Sequence, residues 1–256
     1  MLFPDRFTSL KVDIASISAI IRLDHKYELK GLYDEALRYL TTYYTTNFDT
    51  WADGTNAIEW HPEPIHAIAA INLGRLTNTT SILPLAFYLC ATLGPEVARG
   101  FHRGDGSWET LSPDDLYLCL QMKERLVAEN AHSAFVLLRP QGQQHCSNAH
   151  GYQMCAEVTR KILDQAGLSK GPRALSSDRA LDSWIVTVDS YSPPPAPAPP
   201  TLGPYVSVMM YAQQARAVCK GCRSHMQTRD RELRRNIWRK LPEFIGLTVD
   251  NWDAPL

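Results

Sequence analysis

Long apolar runs are missing from this chain of 256 residues, and none approaches the roughly 18 consecutive apolar residues of a membrane span. Charge of one sign is also missing: a formal net charge of −1 gives the chain no global attraction to nucleic acid or to an anionic membrane, so any polyanion site must be local. The opening stretch has Asp5, Arg6, Lys11 and Asp13 breaking up its apolar residues, which excludes a secretory signal within it. Without an export context, the Asn78-Thr79-Thr80 sequon and the Arg103-Gly104-Asp105 tripeptide carry no functional weight. The motifs of common catalysis are absent as well. There is no G-x-S-x-G elbow, no phosphate-binding glycine loop, no dinucleotide fingerprint and no H-E-x-x-H pair. Eight histidines are scattered, and Asp114 and Asp115 read as charges favoured at a helix start, so the expectation is a protein that is not an enzyme.

What is there is helical periodicity. Asp13 can cap a helix whose apolar face is Ile14, Ile17, Ile20 and Ile21. Leu32, Tyr33, Ala36, Leu37, Leu40, Tyr43 and Tyr44 repeat the pattern, so the two segments are expected to pack as a helical hairpin. A third helix follows Pro64 and a fourth is capped at Ser81. Ser112-Pro113-Asp114-Asp115 opens a long helix through Leu116, Leu120 and Leu126 toward Leu137. A further helix after Cys155 runs through Val158, Ile162 and Leu163 to about Gly167. Seven prolines within residues 193–204 make a loop that can join neither a helix nor a central strand, while "LDSWIVTVDSY" before it fits a helix or a strand equally. Met226, Leu233, Ile237, Leu241, Phe244 and Ile245 then line one face of a final basic helix. The expected architecture is mainly α, a helical bundle with a long proline-rich loop. Its expected divisions are a pair of helices in 1–50, a helical domain in 51–170, the loop in 171–212, and a cysteine pair with the basic helix in 213–256.

The cysteines carry the most chemistry. Cys219 and Cys222 have the C-x2-C spacing that lets one tight turn offer two thiolates to a single Zn²⁺, with Gly221 easing the turn. Cys146 and Cys155 can complete the set, because a metal closes a long loop at little extra entropic cost, about 0.6 kcal/mol for each doubling of length. The expectation is a closed structural zinc site of four cysteines, with His145, His150 or His225 as substitutes for one sulfur. Unrelated free thiols and a redox pair are the competing readings. Cys90 and Cys119, inside apolar helical stretches, read as inert core. Arg229, Arg231, Arg234, Arg235, Arg239 and Lys240 suit a nucleic-acid surface, but Asp230 and Glu232 interrupt them and the apolar stripe is that of a docked helix. Trp51, Trp60 and the aromatic "YLTTYYTTNF" read first as packing, and otherwise as anchors for a protein partner.

At "VDIASISAIIRLDHKYELKGLYDEALRYLTTYY" the chain resembles the last two helices of BTB/POZ domains, with Lys26 and Tyr27 ending the first helix and Leu32 and Ala36 in the second. Its continuation is similar to fungal BTB-domain proteins. Those carry a segment like "AIAAINLGRLTNTTSILPLAFYLC", then a cysteine pair and a basic helix closing on W-x-x-L-P-x-x-x-G-L, matched by Trp238, Leu241, Pro242, Gly246 and Leu247. The resemblance implies a non-catalytic adaptor that binds protein partners, while the missing export signal and missing apolar span give the expectation of an intracellular, cytoplasmic or nuclear, protein without a membrane partner. A zinc-stabilised nucleic-acid-binding or regulatory module is the alternative. A BTB domain carries about a hundred further residues before these helices, whereas Met1 stands some twelve residues ahead of the match. Either the start lies upstream or only the helical tail is kept, so dimerisation and cullin binding are not carried over.

Overall fold

The computed structural model describes residues 13–27, 30–55, 62–139, 144–147, 152–170, 174–192 and 217–254. Trp60, His150 and the proline-rich stretch lie outside the described residues. The fold is mainly helical and divides into two compact units, residues 1–125 with 238–256, and residues 126–237. No helix among the described residues is long and apolar enough to cross a membrane.

In the first unit, α1 (Ile14–Tyr27) and α2 (Lys30–Tyr43) pack against each other as expected. Asp13 caps α1 by accepting from the Ser16 amide at 2.7 Å. Ile14, Ile17 and Ile21 are buried, as are Ala36 and Leu40, but Leu32 is 42% exposed and takes no part in the core. After α3 (Phe48–Ala52), a 3-10 turn at Pro64–His66 leads into α4 (Ala67–Leu76), and another at Thr80–Ile82 into α5 (Leu83–Ala91). Ser81 lies within that turn and does not cap α5, whose start is instead set by Pro84 in its first turn. Eight of the nine α5 residues are buried, so this helix is apolar all round and sits in the core. Gly74 lets α4 approach it closely, since a methyl group there would crowd Leu83 and Ile82.

The short α6 (Glu96–Arg99) precedes a hairpin of β1 (Phe101–His102) and β2 (Trp108–Glu109), antiparallel with Phe101 opposite Glu109. The Arg103-Gly104-Asp105 tripeptide forms the turn of this hairpin. Its Arg103 pairs with Glu109 at 3.2 Å and its Asp105 accepts from the Ser107 amide at 2.9 Å, so both charges are engaged within the protein. Glu109 is itself buried and accepts from Arg22 at 2.8 Å and from Asn72, which supplies the pairing that a buried carboxylate requires.

The long helix α7 (Pro113–Leu138) begins with the expected capping arrangement: the Asp115 amide donates to Ser112 Oγ at 3.1 Å. Asp115 also receives Arg75 at 2.8 Å and is buried, so it is more than a helix-start charge. Leu120 points to solvent, and the buried stripe runs instead through Asp115, Cys119, Met122 and Leu126. Residues 126–138 of α7 belong to the second unit, with α8 (Tyr152–Leu168), α9 (Ile185–Asp189) and the part of α10 (Lys220–Phe244) up to Ile237. The undecided "LDSWIVTVDSY" stretch thus forms a short helix, and α8 starts three residues before Cys155 rather than after it.

Ala134, Leu137, Val158, Ile162, Trp184 and Met226 form the core of the second unit. Two buried polar residues lock it. Asn130 donates to the Ala174 carbonyl at 2.9 Å and accepts from the Trp184 indole at 3.1 Å. Asp230 accepts from the Trp184 amide at 3.0 Å, from Ser183 at 2.8 Å and from Arg234 at 2.8 Å. The side-chain polar atoms of both Asn130 and Asp230 are matched, which is the condition for burial without a net penalty.

Candidate metal centre

The four cysteines expected to converge do so. The sulfur atoms of Cys146, Cys155, Cys219 and Cys222 all lie within 4.8 Å of one another, all in the second unit. Three separate pieces of chain deliver them. Cys155 sits on the first full turn of α8, Cys219 and Cys222 flank the start of α10, and Cys146 comes from the turn at residues 144–147. Cys155 is buried and the other three are partly exposed. Cys90 and Cys119, in contrast, are buried core thiols in the first unit.

The spacing separates a disulfide from a set of free sulfurs that a metal could join. Cys146 Sγ is 3.8 Å from Cys155 Sγ and 3.8 Å from Cys219 Sγ. A disulfide needs about 2.05 Å. Four sulfurs at about 2.3 Å around a tetrahedral Zn²⁺ stand about 3.8 Å apart along each edge. These two separations equal such an edge, and the full set, within 4.8 Å, is compatible with a metal site.

Backbone amides support the shell as they do in thiolate sites. The Ser147 amide donates to Cys219 Sγ at 3.3 Å, the Cys222 amide to the same sulfur at 3.5 Å, and the Cys219 amide to Cys155 Sγ at 3.4 Å. Cys219 directly precedes α10, and its carbonyl accepts the first helical bond, from the Arg223 amide at 2.9 Å. Its sulfur thus lies at a helix N-terminus, where negative charge is favoured. Burial works to raise the Cys219 thiol, but the hydrogen bonds from Ser147 and Cys222 outweigh it and bring it down to about 5. Burial, reinforced by the neighbouring sulfurs, pushes Cys222 and Cys155 up. One thiolate is thereby ready at neutral pH, whereas Cys155 and Cys222 ionise only against an incoming cation.

Two of the histidines offered as substitutes, His145 and His225, are among the described residues and are placed otherwise. His145 and His225 stack on each other with ring centroids 4.0 Å apart, and neither belongs to the cluster. Burial, together with the nearby His145 and Arg229, lowers the basicity of His225.

Gly221 has a sharper role than easing a turn. A methyl group on its Cα would overlap the carbonyl oxygen of His145, and its amide lies 3.4 Å from Ser147 Oγ. The 144–147 segment therefore docks directly on the backbone of the C-x2-C turn. Gly221→Ala is expected to force these segments apart and weaken metal binding by at least about tenfold, the scale of a lost supporting contact, without changing any ligand. Competition with a chromophoric chelator measures it. Ser147 and Gly221 were not recognisable as partners in the sequence, because their contact joins residues more than seventy positions apart.

The basic face of α10 is largely tied down. Arg223 forms a two-point pair with Asp189, Arg234 bonds Asp230 at 2.8 Å, and Arg239 bonds Asp253 at 2.7 Å. Arg231, Arg235 and Lys240 also have interactions within the protein.

No protein-family model matches the chain, and comparison with curated proteins and with solved structures yields no match to either. The site is therefore read from its own geometry, a set of four cysteine sulfurs held by three segments of one compact unit.

Proposed function

We propose that the chain is a non-enzymatic protein-interaction adaptor of the BTB-like type, whose second unit is held together by one structural zinc ion on Cys146, Cys155, Cys219 and Cys222. The carrying observation is the set of four sulfurs, all within 4.8 Å of one another with two pairs at 3.8 Å, supplied entirely by protein. Four thiolates occupy every position of a tetrahedral ion and leave none for substrate, which is the signature of a structural site. The metal would fasten the segment at 144–147, the first turn of α8 and the start of α10. In the absence of a family match, the adaptor reading rests on the resemblance of α1, α2 and the closing Trp238 to Leu247 pattern to fungal BTB proteins.

The engagement of Arg223, Arg234 and Arg239 with carboxylates supports this reading over a nucleic-acid module, since few cations of α10 are left for phosphate. Metal analysis by native mass spectrometry on protein purified without chelator tests the zinc half. One zinc per folded chain is expected, and a metal-free folded chain sinks it. A titration with duplex and single-stranded oligonucleotides tests the other half. Little binding is expected even at low salt, whereas affinity that falls steeply as salt is added would replace the adaptor with the nucleic-acid module.

A further inference from the structure

The second unit carries a groove of about 770 Å³ lined, among the described residues, by α7, Arg139 just after it, and α8. Its apolar lining is Phe135, Val136 and Leu138 from α7 with Ala156 and Leu163 from α8. Phe135 is 53% exposed, an aromatic ring that the core leaves on the surface. The polar lining is mainly cationic. Arg139 and Arg160 are both exposed along the groove, and His132 joins them. The acidic residue there, Glu157, is engaged by Lys161 at 2.7 Å and lies under the influence of Arg160, so the local charge remains positive.

We infer that this groove is the docking site for an acidic amphipathic helix of a partner protein, which seats apolar anchors against Phe135 and Leu163 while its carboxylates meet Arg139 and Arg160. The inference rests on the interaction reading above and names the partner's chemistry. A cleft between two helices accepts the ridge of a third, with apolar anchors at positions i, i+4 and i+7. Its volume exceeds what one side chain fills. Opposite charge along the rim sets orientation and speeds encounter, and like charge opposes a basic partner. Cys155 lies among the groove residues Gln153, Ala156 and Glu157 on the opening turns of α8, so the metal would hold one wall in place.

The test uses two synthetic fluorescent peptides about four helical turns long, with the same leucine and tryptophan anchors but glutamate in one and lysine in the other at the remaining positions. The full chain should bind the acidic peptide saturably at one to one, about tenfold or more tighter than the basic peptide. Phe135→Glu should weaken it at least tenfold. Because Phe135 is exposed, circular dichroism and zinc content should stay unchanged in that variant. The double variant Arg139→Glu with Arg160→Glu should reverse the preference in favour of the lysine peptide, which simple unfolding does not produce. Equal affinity for both peptides, or binding indifferent to these substitutions, overturns the inference. So does a Phe135→Glu variant whose only change is loss of self-association in sedimentation, since the groove would then be a contact between copies. Zinc content and oligonucleotide binding are read on the same proteins. A failed peptide titration beside one zinc per chain and no oligonucleotide binding removes the groove and leaves the adaptor standing.

Discussion

Serine in place of any one of Cys146, Cys155, Cys219 or Cys222 is expected to abolish stoichiometric zinc and to unfold the segments that the four sulfurs join. The sulfurs converge from three stretches: α8 and α10 also meet in the core of the second unit, but the 144–147 turn is short and α10 starts after the long proline-rich stretch. In small zinc domains the apparent binding energy at neutral pH is on the order of 10 kcal/mol, and that energy is folding energy. Even a fraction of it exceeds what a short turn and the first turns of two helices can replace. Alanine at Cys90 or Cys119 should leave zinc at one per chain, because those thiols are buried core in the first unit. The pH dependence has a definite sign. Cys155 and Cys222 are pushed up by burial and hold protons at neutral pH, so zinc binding expels protons and grows tighter as pH rises. As pH falls, protons compete for the same sulfurs, and near pH 5 even Cys219, brought down to about 5, becomes half protonated. Zinc release followed with a chromophoric chelator should therefore climb steadily from pH 7 to pH 5. Release that is flat across this range would mean that thiolates are not the ligands.

The cysteine set was legible because C-x2-C is a local pattern, and two further sulfurs were needed to complete a shell. Its supports were not legible. Ser147 and Gly221 act through a contact between residues 74 positions apart, and no spacing rule reports that. Helix existence followed from apolar periodicity, yet the buried face of α7 followed only in part. Of the expected run through Leu116, Leu120 and Leu126 toward Leu137, Leu126 and Leu137 are buried. The structure buries Asp115 and Asn130 on that helix and leaves Leu120 out. Both polar residues are matched, Asp115 by Arg75 and Asn130 by Trp184 and the Ala174 carbonyl, so their burial carries no penalty that a hydropathy pattern could anticipate. Ser81 failed as a cap for a similar reason. A 3-10 turn extends the helix start by three residues, and Pro84 supplies the fixed backbone angle without any capping bond.

Trp238→Ala is expected to lower the stability of the first unit by about 3–5 kcal/mol, the range for removing a large aromatic side chain from a core. Trp238 is fully buried near the end of α10 and is the hub of an aromatic cluster. Trp252 stacks on it at 5.0 Å, Trp51 lies tilted at 5.5 Å, and Phe48 meets it edge-on at 6.0 Å. Its indole donates to the Thr46 carbonyl at 3.1 Å, and its own carbonyl accepts from the Trp252 indole at 2.8 Å. The closing segment depends on the same place. Asp253 donates its amide to the Thr46 carbonyl at 2.9 Å and takes Arg239 on its carboxylate at 2.7 Å, while Asn47 reaches the Ala254 carbonyl at 3.1 Å. Alanine would leave a cavity among three aromatic rings and remove the indole from the Thr46 carbonyl, which would keep only the Asp253 amide. Phenylalanine keeps most of the ring contact and loses chiefly that hydrogen bond, so it should cost nearer 1–2 kcal/mol. Urea denaturation followed by far-ultraviolet circular dichroism separates the two variants. Zinc content should remain one per chain in both at low denaturant, because Trp238 stands 16 residues beyond Cys222 on α10, about 24 Å along the helix. Equal, small losses for alanine and phenylalanine would show that the cluster is contact without energetic weight, and that the tail is held by Asp253 alone.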